Sequence, residues 1–198
     1  MKNILFVCSF LLISVYLSGH SFESESFLLM DKSFEDYGSW KTETQPEGFI
    51  ALTGNNTYRK RESKPAKANI EIVKAGEYKI WVFDRDYHHE QGTRYFNVAL
   101  NGRILPNTFG QHGNNCFSWT DVGTFYLEEG KNLIELFDTS GYYARFGGLF
   151  ITDDKQFVPP SDIKVLAQSI PPIDLLKGFE NPTFPDWATK EGAFKKNV

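Results

Sequence analysis

The sequence predicts an all-β domain, an antiparallel sandwich or barrel, and three observations carry that expectation. Aromatic residues are abundant, with 18 Phe, 9 Tyr and 4 Trp, and such rings suit pleated, half-buried surfaces better than helices. Turn signals recur at short intervals: Tyr37-Gly38-Ser39, Gly54-Asn55-Asn56, Ala75-Gly76, Asn101-Gly102, Glu129-Gly130 and Ser140-Gly141. No stretch of a dozen residues between Phe27 and Val158 shows helical periodicity, while short alternating or apolar runs fill the gaps between turns. Many short strands without intervening helices close into a sandwich or barrel.

Taken in order, the chain opens with an export signal. Residues 1–21 carry Lys2, an apolar run and then the small residues Ser18, Gly19 and Ser21, the layout of a cleavable secretory peptide. A buried first strand or a membrane anchor is the plainer alternative, but the apolar run is short for a bilayer span. Cleavage between Ser18 and Ser21 removes Cys8 and one lysine, leaving 20 basic against 25 acidic residues, a net charge of −5. A single cysteine, Cys116, then remains, so the exported chain has no internal disulfide and rests on packing. The low charge offers no basic field for nucleic acid or an anionic membrane.

Strands are expected over residues 49–53, 66–73, 77–84, 95–100, 119–127, 133–138 and 148–152. Alternation across residues 77–83 places Tyr78, Ile80 and Val82 on one face and Lys79, Trp81 and Phe83 on the other. Asn101-Gly102 between two apolar runs marks a hairpin, since both central positions of a type I′ turn need positive φ. Residues 22–158 form the domain. Beyond them Pro159-Pro160, Pro171-Pro172, Pro182 and Pro185 punctuate a tail over 159–198, read as linker, with only residues 161–169 able to form a short helix. The end of the tail is either a disordered terminus or the stub of a missing catalytic domain.

Five runs in order, AGEYKIWVFDRD, FNVALNG, FGQHG, WTDVGTFYLEEGKNLIELFD and SGYYARFGGLFITDD, resemble the golvesin/xanthan-lyase-type carbohydrate-binding-like domain. The resemblance covers roughly Phe27 to Pro159. It implies a galactose-binding-like, jelly-roll β-sandwich that serves as an accessory module on secreted polysaccharide-degrading enzymes and FAD-dependent oxidoreductases. Modules of this shape often hold a structural Ca²⁺ with two first-strand acids and a late Asp. The corresponding positions here are Met30, Lys32 and Gly147, so the oxygen ligands a hard cation needs are missing. Asp31, between the two first-strand positions, would face the other side.

Three loops carry the candidate ligand-binding residues. The first holds Asp84, Arg85, Asp86, Tyr87 and His88, followed by His89 and Glu90: planar donors and acceptors plus a ring, the chemistry that sugar hydroxyls need. The second holds Gln111 and His112, the third Tyr142, Tyr143 and Arg145. The plainer readings are a solvated first loop and an Arg145 that anchors a neighbouring loop through Asp138. Trp40, Trp81 and Trp119 are expected in the core. His88-His89-Glu90 is weak as a metal site because adjacent side chains do not converge on one ion. Cys116 beside His112 invites a nucleophile–base reading, but a lone cysteine usually packs. No nucleotide, flavin or metalloprotease motif occurs, so no cofactor is expected. The function expected is a secreted or periplasmic, non-catalytic module that grips a glycan. The alternatives are an interaction domain that packs on a catalytic partner, a fragment of a larger enzyme, and a small hydrolase.

Overall fold

The computed structural model describes residues 24–55, 63–87 and 89–175. The export segment, residues 56–62, His88 and the tail from 176 onward lie outside them. In chain order the elements are β1 (Ser26–Leu29), a 3₁₀ turn (Asp31–Ser33), β2 (Phe34–Asp36), β3 (Lys41–Thr44), β4 (Ile50–Thr53), β5 (Ala66–Ile72), β6 (Gly76–Arg85), β7 (Phe96–Leu100), β8 (Arg103–Phe109), β9 (Phe117–Leu127), β10 (Gly130–Phe137), β11 (Arg145–Thr152) and α1 (Ile163–Ser169). One sheet runs β3-β4-β11-β6-β9, with β1 also paired to β11; the other runs β2-β5-β10-β7-β8. Every pairing is antiparallel. The chain is therefore an antiparallel β-sandwich, as the turn spacing requires.

The inner faces interdigitate. Tyr78, Ile80 and Val82 of β6 meet Ile70 of β5, Val98 of β7, Ile134 and Leu136 of β10, and Leu149 and Ile151 of β11 in one buried cluster. Phe96 sits at its centre, edge-on to Trp40 at 5.6 Å and to Phe146 at 6.2 Å. Asn101 and Gly102 both adopt positive φ, 51° and 77°, closing the β7–β8 hairpin with Leu100 opposite Arg103.

The outer face of the larger sheet is apolar as well. Trp81, Phe83, Phe117 and Phe150 form a second cluster, covered by Ile163 and Leu166 of α1. Asp162 caps that helix by accepting the Lys164 amide at 2.9 Å. The segment expected to be linker is thus part of the sandwich up to residue 175. Trp119 Nε1 donates to Pro160 O at 2.8 Å, the Ile173 amide donates to Leu28 O at 3.0 Å, and Ser33 Oγ donates to Ile173 O at 2.5 Å. What holds it is the apolar face that Trp81 and Phe83 would otherwise expose.

Strand register gathers the loops. Arg145 opposes both Thr53 and Arg85, Arg85 opposes Phe117, and Lys41 opposes Thr53. Thr53 and Arg85 end β4 and β6, while Lys41, Phe117 and Arg145 begin β3, β9 and β11, so the loops before β3, β5, β7, β9 and β11 share one end of the sandwich.

Candidate functional site

Three buried carboxylates shape that end. On β6 the inward alternation of Tyr78, Ile80 and Val82 continues to Asp84 and Asp86, which are 1% and 0% exposed. Asp84 accepts the Gly110 amide at 2.5 Å and the Thr120 hydroxyl at 2.9 Å. Asp86 accepts the Gly92 amide at 3.0 Å and the Gly113 amide at 2.8 Å. Asp138 accepts the Ser140 hydroxyl and the Gly141 amide, both at 2.9 Å. These acids supply acceptors to loop amides that no strand can satisfy. Burial pushes the Asp84 and Asp138 carboxyls above the ordinary carboxylate range, while their hydrogen bonds pull the other way. Gly110 is obligatory here: its φ is +74°, and a Cβ would strike the carbonyl of Arg94.

The loops so held present aromatics and guanidinium groups. The Arg94 guanidinium carbon lies 4.2 Å from the Tyr87 ring centroid, 5.9 Å from Tyr142 and 6.0 Å from Tyr143. Tyr142 and Tyr143 pack edge to face at 5.2 Å. Tyr143 has φ +51° and is 38% exposed. Beside it opens a cleft of about 440 Å³, whose walls include Lys41, Glu43, Thr53, Asn55, Tyr143 and Arg145. Glu43 accepts the Thr53 hydroxyl at 2.7 Å and lies 3.8 Å from Arg145 Nε. The Thr53 hydrogen bond, opposed by burial and aided by Arg145, holds the Glu43 carboxyl below its usual range. The expected Arg145–Asp138 anchor is not the arrangement found: Asp138 is engaged with its own loop, and Arg145 faces Glu43.

The structure therefore brings Tyr87, Tyr142, Tyr143 and Arg145 into one neighbourhood. The other expected residues fall elsewhere. Asp84 and Asp86 are buried struts. Arg85 points to the other wall, where it donates to Asn115 Oδ1 at 3.0 Å and lies 3.9 Å from Glu47. There it adjoins a hollow of about 380 Å³ over Phe49, Phe83 and Phe117 at the start of α1. Gln111 is exposed, and its carbonyl accepts from Gln91 Nε2 at 3.2 Å.

His112 is wired against base catalysis. Its Nδ1 accepts the Asn114 amide at 3.1 Å, which places the proton on Nε2. That Nε2 faces the Asp84 carbonyl at 3.3 Å, Ser118 Oγ at 3.5 Å and Asp84 Oδ2 at 3.6 Å. A Ser-His-Asp triad needs serine and acid on opposite ring nitrogens, whereas here they share one. Cys116, expected to pack, is exposed. The residues proposed by alignment for calcium do other work. Met30 is buried in the outer cluster, Lys32 reaches Asp174 at 3.6 Å, and a Cβ on Gly147 would lie 2.7 Å from Phe83 Cδ1. Among the described residues no group of three metal-ligating side chains occurs.

Sequence reasoning missed Arg94, Lys41, Glu43 and Thr53. Arg94 had a usable signal, a cation in the same loop as Tyr87. Lys41, Glu43 and Thr53 reach the cleft only through pairing of β3 with β4, and β3 has no apolar alternation to announce it.

Comparison with solved structures places the fold. The chain is similar to a GH26-CBM35 β-(1,4)-mannanase from Podospora anserina, with TM-score 0.52 and 17% identity over 68% of this chain and 29% of that one. It is similar to a family 35 carbohydrate binding module from Clostridium thermocellum, with TM-score 0.51 and 15% identity over 64% of this chain and 97% of the module. A third is the C-terminal CBM6 of the marine laminarinase LamC from Zobellia galactanivorans, with TM-score 0.50 and 15% identity over 65% of this chain and all (100%) of that one. No protein-family model and no curated protein matches the chain. The shared property is the β-sandwich fold of carbohydrate-binding modules; at such identities function is argued from the site.

Proposed function

We propose that the protein is an exported, non-catalytic glycan-binding module whose site is the cleft beside Tyr143. The observation that carries this reading is the conformation of Tyr143. A bulky side chain at φ +51° costs about 1–2 kcal/mol, and such strain persists where the surroundings impose it, commonly at ligand sites. The Asp138 bonds and the Gly54 amide, which donates to Ala144 O at 2.7 Å, impose it here. The effect is to leave a tyrosine ring partly exposed on the wall of a cleft otherwise lined by hydroxyl, amide and charged groups. A ring face for the apolar side of a pyranose and a polar surround for its hydroxyls are what sugar recognition uses. The same polar lining argues against a permanent protein interface there, which would be more apolar.

Two further supports stand beside it. The fold is one that carbohydrate-binding modules use, and the five sequence runs resemble a domain that accompanies polysaccharide-active enzymes. The non-catalytic reading rests on the wiring of His112. Affinity electrophoresis and glycan arrays spanning plant, algal and bacterial polysaccharides test the proposal. Binding of at least one polysaccharide, weakened when Tyr143 is replaced, is expected; failure to bind any of them would remove it.

A further inference from the structure

We propose that the cleft selects an acidic glycan, taking its carboxylate or sulfate group between Arg94 and Arg145. This rests on the glycan-binding reading and adds the ligand's charge to it. The Nε atoms of Arg94 and Arg145 are both buried, and neither has a hydrogen-bond partner among the described residues. Buried guanidinium N–H groups without acceptors are rare in folded proteins, because each has given up water without replacement. The two cations are held near one another. Arg94 lies 6.0 Å from the Tyr143 ring, and Tyr143 and Arg145 line the same cleft. Burial lowers the Arg145 pKa first, and the charge of Arg94 lowers it further, as expected for like charges brought close.

Local compensation is thin. Among the described residues Glu43 is the one acid lining the cleft, against Lys41 and Arg145, and Arg94 lies behind Tyr143, 6.0 Å from its ring. Its Oε2 already accepts the Thr53 hydroxyl and stands 3.8 Å from Arg145 Nε, beyond hydrogen-bond distance. An oxyanion entering the cleft would meet the 17% of the Arg145 side chain that remains exposed, relieve the repulsion between the arginines, and gain the Nε donors as the guanidinium groups turn toward it. The planar fork of a guanidinium suits both carboxylate and sulfate oxygens. The tyrosine rings hold Arg94 in place before the ligand arrives, so little side-chain freedom is lost on binding. The chain's overall charge of −4 makes this a local property of three cations rather than of the surface as a whole.

Isothermal titration of the whole exported chain tests it with three probes: an oligogalacturonate, the same oligosaccharide after reduction of its carboxyl groups, and a sulfated galactan oligosaccharide. The expected result is at least tenfold tighter binding of one acidic probe than of the reduced one, weakening as salt rises. Whether the carboxylate or the sulfate probe binds tighter identifies the natural source of the anion. Arg94→Gln and Arg145→Gln should each lower acidic affinity about tenfold to a hundredfold, a larger loss than the same variant causes for the reduced probe. Where one glutamine variant unfolds, the other carries the comparison, and Arg94→Lys should keep part of the acidic preference. Equal affinity for the acidic and reduced probes overturns the inference and leaves glycan binding standing, as does parallel loss of both affinities in the variants. A chain that binds none of the three probes overturns the inference, and if it also binds no other polysaccharide the functional reading falls with it.

Discussion

Replacing Asp84 by alanine strands two donors at the loop end of the sandwich. The Gly110 amide, at 2.5 Å, and the Thr120 hydroxyl, at 2.9 Å, both end on its carboxylate. An unmatched buried donor costs about 1–3 kcal/mol. The hydroxyl can turn elsewhere, while the amide cannot, and the carboxylate's own burial offsets part of the loss. The net destabilisation expected is about 2–4 kcal/mol, or roughly 4–16 °C in Tm for a domain of this size. Asp84→Asn behaves differently. Its amide oxygen still accepts from Gly110 and its NH₂ can donate to a rotated Thr120 hydroxyl, so the cost stays under about 1 kcal/mol. The pH dependence has a definite sign. Because burial raises the folded-state pKa of Asp84 above its ordinary value of 3.8, the native state binds more protons than the unfolded state across that interval. The group's contribution is therefore fully present below pH ~4 and is lost as pH rises through the raised value. The wild type should lose stability relative to Asp84→Asn over that rise. Urea unfolding of the three proteins between pH 4 and 8 measures all of this. An alanine variant within about 0.5 kcal/mol of wild type, or an asparagine variant as damaged as alanine, would refute the assignment of Asp84 as a loop strut.

Tyr143→Gly should separate stability from binding: relief of the positive φ leaves Tm unchanged or slightly higher, while glycan affinity falls about tenfold. Truncation after Val158 removes Ile163 and Leu166 from the outer cluster, which should cost about 3–6 kcal/mol and raise binding of an apolar dye. N-terminal sequencing of exported protein should find the chain starting between residues 19 and 22, and an intact Met1 in that material would contradict the export reading.

The sandwich was legible because its inner strands alternate. Tyr78, Ile80 and Val82 against Trp81 and Phe83 gave both faces of β6 correctly. The short edge strands β2 and β3 were not visible: β3 is exposed along its length and has no apolar face to betray it. The tail was misread for a related reason. Proline density marked 159–175 as linker, while Ile163 and Leu166, three apart on one helical face, carried the packing signal. At the site, acids in a loop suggested ligand contacts. Extending the β6 alternation by two steps would have pointed Asp84 and Asp86 inward, toward loop amides. Tyr142 and Tyr143 were expected beside the ligand from their turn context, and they line up with Arg94 at the loop end. Arg94 itself was not expected there, because its meeting with them depends on which loops the strand order brings to one end.

Glycan held at the loop end beside Tyr143 would perturb a defined set of residues. Chemical-shift mapping of the labelled chain, titrated with the polysaccharide fragment it binds, tests that most directly. The largest shifts are expected on Thr53, Asn55, Arg94, Tyr143 and Arg145. Shifts centred instead on the outer face of the smaller sheet, at Lys67, Asn97 and Glu135, with the loop end unmoved, would contradict it.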